Sequence, residues 1–255
     1  MRQTLIQLVC AVALLMVGAP VSHAKEATLP RPILVELYTS QGCISCPPAD
    51  KLLGEMSENP DLLVLSFHVD YWNKNGWEDP FSSSENTERQ KHYSEDTGLF
   101  ASIYTPQVIV DGVHKAIGSR EKELAALIKN AAGEMIAVPL TIRKEKNWVV
   151  RAGEAPESLK DAHAEVLVVG FDKVHRTNIE DGENKGSTID NFHVVRWMQV
   201  IGEWDGKPHQ YNVMDQGKPA TEFYAVILQE MGQKRIFGVG FDPSYPPTYS
   251  DTSAR

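Results

Sequence analysis

The sequence predicts an α/β unit followed by an all-β unit, and three observations carry that reading. Strand-like and helix-like runs alternate from about residue 30 to residue 136. Short apolar or alternating runs, separated by turn-rich stretches, fill residues 137–242. A Cys-x-x-Cys pair, Cys43 and Cys46, sits on the seam between the first strand-like run and the first helix-like run. With 255 residues and 42% apolar composition the chain has enough material for two cores.

The first 24 residues read as a secretory signal: Arg2 gives a weakly positive start, Leu5 to Ala19 is almost uninterruptedly apolar, and Ser22-His23-Ala24 offers small residues for cleavage. The apolar stretch is shorter than the roughly 20 residues a span requires, so cleavage is expected rather than a stable membrane anchor. That places the chain in the periplasm or outside the cell. Cys10 lies inside the stretch, so the mature chain keeps only Cys43 and Cys46, which an oxidising compartment leaves to each other.

The first strand is expected over Ile33–Tyr38. A helix follows over Pro48–Glu58, with Ala49, Leu52, Leu53 and Met56 on one face and Asn59-Pro60 ending it. Paired prolines fit only near a helix start, where the missing N–H groups have no intrahelical partner anyway. Leu62–Phe67 is a continuous apolar run, as for a strand buried on both faces of a parallel sheet. Ser82 to Thr97 reads as a polar surface helix with Ser82-x-x-Glu85 as a capping box and Gly98 as its stop. Gln107–Val110 and Val113–Ile117 flank Asp111-Gly112, a hairpin signal, and a helix capped by Ser119 groups Leu124, Leu127, Ile128 and Ala131. Seven short runs between Leu140 and Phe241 then predict a sandwich-like β unit, with a disordered tail over 243–255.

Two thiols spaced C-x-x-C at a strand-to-helix junction are the mark of a thioredoxin-like redox pair. The helix dipole favours a thiolate at that end. A free thiol with a pKa near 8.5 is only about 3% thiolate at pH 7, and lowering the pKa to about 7 makes that roughly half. Cys43, expected to be the more exposed, is assigned as the attacking sulfur and Cys46 as the resolving one. Thr105-Pro106 opens the hairpin strand where thioredoxin-like folds place a cis-proline against the dithiol, and Thr105 there offers its backbone to an extended substrate. Glu36, an acid in an apolar strand, is a candidate proton relay to Cys46 or, by strand alternation, a solvent-facing or ion-paired group. His68, Tyr71, Trp72 and Trp77 follow the second strand at the carboxyl edge of the sheet, where they form either a substrate-selecting rim or a plug on the core.

The run Val35 to Asp50, VELYTSQGCISCPPAD, resembles a family of secreted thioredoxin-like proteins classed only as a domain of unknown function. The segments from His68 to Phe81 and from Thr105 to Gly112 are similar to the same family, as is, more loosely, Gly182–Gly186 with Val194–Arg196. The resemblance implies a thioredoxin-like fold, export and a redox dithiol, and it implies no substrate.

The function expected is thiol–disulfide exchange with protein or small-molecule thiols and disulfides, with no cofactor. One alternative is a Cu(I)-binding protein or copper chaperone using Cys43, Cys46 and His68, although the spacing departs from the C-x-x-x-C of thioredoxin-like copper chaperones. Another is a non-catalytic binding protein with a structural disulfide; closing so short a loop would remove only roughly 2 kcal/mol of unfolded-state freedom. A net charge of −9 with no basic run argues against nucleic acid as partner.

Overall fold

Two apolar runs set the centre of the molecule. Strands β1 (Ile33–Thr39) and β2 (Leu62–His68) are buried along their whole length and pair in parallel, from Ile33 against Leu62 to Thr39 against His68. The structure, a computed structural model, describes residues 29–95 and 103–245. The signal-peptide reading with Cys10, the helix stop at Gly98, and the tail beyond residue 245 lie outside the described residues. No helix among the described residues is long and apolar enough to cross a membrane.

The first segment continues as α1 (Pro47–Met56), α2 (Ser84–Glu95), β3 (Gln107–Val110), β4 (His114–Ile117) and α3 (Glu121–Glu134). The β-rich segment contributes β5 (Leu140–Lys144), β6 (Trp148–Ala152), β7 (Ala164–Asn178), β8 (Thr188–Trp204), β9 (His209–Asn212), β10 (Phe223–Glu230) and β11 (Ile236–Phe241). The result is a mixed α/β architecture with an eight-stranded sheet, β11-β10-β7-β8-β2-β1-β3-β4, and a three-stranded sheet, β5-β6-β9.

The large sheet runs straight across the expected boundary near residue 137. β8 lies parallel to β2 with Ser66 opposite Val194. The Ser66 hydroxyl donates to the Phe192 carbonyl at 2.8 Å and the His193 ring to the Val64 carbonyl at 2.8 Å. One apolar cluster accordingly joins Leu34, Tyr38 and Phe67 to Leu167, Val169, Phe171 and Ile227. A second lies between the three-stranded sheet and β7, β8, β10 and β11, and a third packs α1 and α3 on β1 and β3.

Strand alternation divides β1 between those cores. Ile33, Val35 and Leu37 face α1 and α3, whereas Leu34 and Tyr38, with Glu36 between them, face the shared cluster. Several details differ from expectation. α2 is not a surface helix: Asn86, Thr87, Arg89 and Gln90 are buried, because polar partners on other elements receive them. Its first turn is bonded by Ser83, whose hydroxyl accepts the Asn86 N–H at 3.1 Å, rather than by Ser82. α3 starts at Glu121 with Arg120 at the N-cap, not Ser119. Tyr245, assigned to the loose tail, is buried against Phe171 and His193.

Candidate functional site

The dithiol loop is built by the end of β1 and the start of α1. Cys46 is the N-cap of α1, with Pro47 and Pro48 filling the first helical positions, where their missing N–H groups cost nothing. The Cys46 N–H donates to the Cys43 carbonyl at 3.2 Å, and the Cys46 carbonyl accepts from Ala49 and Asp50 at 2.8 and 3.1 Å. The thiols are free, and Cys46 donates to the Cys43 sulfur across 2.6 Å. That bond, followed by the Ser45 contact at 3.3 Å, holds the Cys43 thiol down to about 6 against the opposing effect of burial. Cys46 is driven the other way, first by burial and then by donating its proton to Cys43. The two sulfurs are therefore chemically unlike: one is a thiolate near neutral pH and the other keeps its proton.

The expectation of an exposed Cys43 is not met, since neither cysteine has accessible surface. The cover over Cys43 is thin. Ile44 above it is 65% exposed. The exposed Ser45 donates its hydroxyl to the Thr105 carbonyl at 3.3 Å, and that carbonyl lies 3.9 Å from the Cys43 sulfur.

The Thr105–Pro106 bond is cis, as its place before the hairpin led one to expect. Gly118, at the hairpin's end, donates its N–H to the Pro106 carbonyl at 2.9 Å. A side chain there would meet Leu37, Ala49 and Pro106 at 2.9–3.2 Å, so the absence of one lets the hairpin close onto the start of α1. The Trp72 indole N–H donates to the Thr105 hydroxyl at 2.7 Å, and Trp72 also packs over Gly42. Tyr71 donates to Gln90 at 3.3 Å, and burial pushes its phenol up to about 12. The Trp77 indole donates to the Gln41 side chain at 3.1 Å. Tyr71, Trp72 and Trp77 are all half-buried; Trp72 reaches the residue before Pro106, and Trp77 reaches the loop that carries Cys43.

Glu36 and His68 are not where their expected roles would put them. Glu36 points away from α1, where Arg89 donates to it at 2.7 Å and Tyr93 at 2.5 Å. It is a paired structural charge, and the relay to Cys46 does not form. His68 is fully buried, below any rim, with Nδ1 2.7 Å from Asp79. Burial disfavours its charged form, but the Asp79 carboxylate outweighs that and raises its pKa. Among the described residues no group of three or more His, Cys, Asp or Glu is arranged to hold a metal, so Cys43, Cys46 and His68 do not assemble the three-ligand site of the copper alternative.

The acid that does accompany Cys46 is Asp50, which the sequence reading passed over. It is buried on α1 four residues after Cys46, and its carboxylate raises the Cys46 thiol. The Thr39 hydroxyl donates to one oxygen at 2.8 Å, and the other oxygen has no partner. Burial pushes Asp50 up to about 7. On α1 it lies beside Leu53 and Gly54 on the buried side, off the stripe of Ala49, Leu52, Leu53 and Met56 that the sequence marks. Asp79, in the segment after the second strand, accepts the Gln41 N–H at 2.8 Å and lies 2.7 Å from the His68 ring, and so ties the dithiol loop to His68.

The β7–β8 loop, residues 179–187, closes the site from the β-rich segment. The Asn184 amide donates to the Gln41 and Cys43 carbonyls at 2.9 and 3.0 Å, and the Glu183 carboxylate accepts the Ile44 N–H at 3.3 Å.

The sequence profile of a family described as "Protein of unknown function (DUF1223)" matches residues 34–229. A crystal structure of a protein from Agrobacterium tumefaciens is 30% identical, with a TM-score of 0.72 over 85% of this chain and 95% of that one. HBP35 of Porphyromonas gingivalis shares the fold at 12% identity, with a TM-score of 0.57 over 85% of this chain and 76% of that one. No curated protein matches the chain.

Proposed function

The chain belongs to the DUF1223 family, and from that premise we propose that it is an exported thiol–disulfide oxidoreductase on a thioredoxin-like fold. The observation that carries the proposal is the pair of free thiols 2.6 Å apart at the head of α1, one lowered and one raised, beside Thr105 and Pro106. The thioredoxin-like reading is supported by the order β1-α1-β2-α2-β3-β4-α3, by the strand neighbours β2-β1-β3-β4, and by the seating of the hairpin start against the dithiol. Export is supported by the composition of the first 24 residues.

In the reducing direction the Cys43 thiolate attacks one sulfur of a substrate disulfide. The Cys43–substrate S–S bond forms, the substrate's own S–S bond breaks, and its departing sulfur leaves as a thiolate that takes a proton from water. Cys46 then gives its proton to the Asp50 carboxylate and attacks the Cys43 sulfur. The Cys43–Cys46 disulfide forms and the second substrate thiol is released, so two electrons have passed to the substrate. Oxidation of a substrate dithiol is the same sequence reversed. An acid with a pKa near 7 suits both directions, because it takes or returns a proton at little cost near neutral pH. Ser45 and the Thr105 backbone are the cover that an incoming chain displaces, and Tyr71, Trp72 and Trp77 border its path.

A Cys46→Ser variant expressed with its N-terminal 24 residues is expected to trap mixed disulfides on Cys43, visible on non-reducing gels and identified by mass spectrometry. A Cys43→Ser control should trap none. Equal, background labelling of the two variants would contradict the proposal.

A further inference from the structure

The β7–β8 loop brings a negative charge to the mouth of the dithiol, and among the described residues no ion pair cancels it. Its placement is anchored at three points. Gly182 adopts φ +75°, and a side chain there would meet the Trp77 Cβ at 3.0 Å and the Asn75 carbonyl at 3.3 Å, so the loop lies against the segment after β2. Asn184 bonds both carbonyls that flank Gly42, at 2.9 and 3.0 Å. At the loop's far root, Gln41 donates to Thr177 and Asn191 at 3.0 and 2.8 Å. Glu183, held between these anchors, accepts the Ile44 N–H at 3.3 Å. That amide belongs to the residue between Cys43 and Ser45, on the exposed side of the site.

Glu183 makes no ion pair among the described residues. The nearby Lys185 is engaged with Asp181 at 3.6 Å, and Lys74 and Glu78 on the facing segment sum to zero. Beneath the loop, His68 is matched by Asp79 at 2.7 Å. Among the described residues the unopposed charge at the entrance is therefore a carboxylate.

From this placement we infer that Glu183 is a specificity-determining residue that makes the Cys43 thiolate select cationic or neutral disulfides over anionic ones. The preferred partner is a polypeptide with Lys or Arg beside its reactive sulfur, and small anionic thiols and disulfides are disfavoured. The inference rests on the dithiol reading above and gives the β-rich segment a part in it.

Charged methanethiosulfonates test selection without requiring turnover. In a Cys46→Ser background, which prevents the adduct from being resolved, the Cys43 thiolate attacks the reagent's sulfenyl sulfur. A Cys43–S bond forms, the S–SO2 bond breaks, and methanesulfinate departs with the electron pair. Rates for the trimethylammonium-ethyl, sulfonatoethyl and neutral methyl reagents are read on the Cys43 peptide by mass spectrometry, relative to free cysteine. The expected cation-to-anion rate ratio exceeds that of free cysteine by about three- to tenfold at low ionic strength. It falls towards the free-cysteine value in 1 M salt, where the Debye length is only about 3 Å. Glu183→Gln should remove most of the excess, each charged reagent's rate being taken relative to that of the neutral reagent on the same variant. A ratio that is indifferent to salt in the background protein, or that is the same after Glu183→Gln, overturns the inference and leaves the dithiol reading intact. Failure of the neutral reagent to label Cys43 overturns both.

Discussion

Glu36 and Asp50 are both carboxylates without appreciable surface, and they sit on opposite sides of β1. Glu36 is met by Arg89 at 2.7 Å on one oxygen and Tyr93 at 2.5 Å on the other, and Arg89 and Tyr93 are themselves held by Gln229 at 3.0 and 2.8 Å. Asp50 has one donor, Thr39, and an oxygen with none. A buried charge that is fully surrounded ties elements together, here β1, α2 and β10. A buried charge left short of donors exchanges its proton easily, and it is that one that lies on the helix of the dithiol.

The contrast is sharpest where a partner is removed. Arg89→Met should leave Glu36 buried and uncompensated and cost about 3–5 kcal/mol in urea denaturation. The pH dependence of Cys43 alkylation should stay unchanged in the folded protein. A loss below about 1 kcal/mol, or a shifted Cys43 profile, would break the comparison.

Asp50 predicts a pH effect instead. Its folded pKa, about 7, lies above the value near 3.9 of an unfolded aspartate. The folded chain therefore keeps a proton that the unfolded chain releases, and the stability this gives is full below pH 4 and lost as pH rises through 7. The loss is on the order of 3–4 kcal/mol. Asp50→Asn should abolish it, so the variant-minus-parent stability should rise by that amount between pH 4 and pH 8. A flat difference would mean that Asp50 is not poised.

The smallest effect is expected at the β7–β8 loop. Asn184→Ala removes two hydrogen bonds to partly buried carbonyls and should cost about 1–2 kcal/mol. A loss as large as that of Arg89→Met would place Asn184 with the structural network rather than with the site.

Much of this was legible in the sequence. The strands, the dithiol at a helix start and the proline before the hairpin follow from local patterns of apolarity, spacing and turn chemistry. What was missed depends on contacts distant in sequence. The polarity of α2 argued for solvent, yet its Arg89 and Gln90 are buried because Glu36, Gln229 and Gln107 receive them. Strand alternation showed that Glu36 has one face, without saying which face carries the helix. Asp50 is buried beside Leu53 and Gly54, yet it lies about 100° around the helix from Ala49, off the stripe of Ala49, Leu52, Leu53 and Met56, so the apolar pattern did not mark it. The β7–β8 loop was marked by its loose family resemblance alone, which said nothing of its contact with the dithiol, because Asn184 lies 141 residues from Cys43.

The central claim is the inequality of the two sulfurs, and the rate of Cys43 alkylation by iodoacetamide as a function of pH tests it most directly. The account predicts a single titration with a midpoint near 6 in the parent protein, moved upward by about one unit or more in Cys46→Ala, where the donated proton is gone. A midpoint near 8.5 in the parent, the value of a free thiol, or one indifferent to the loss of Cys46, would contradict it.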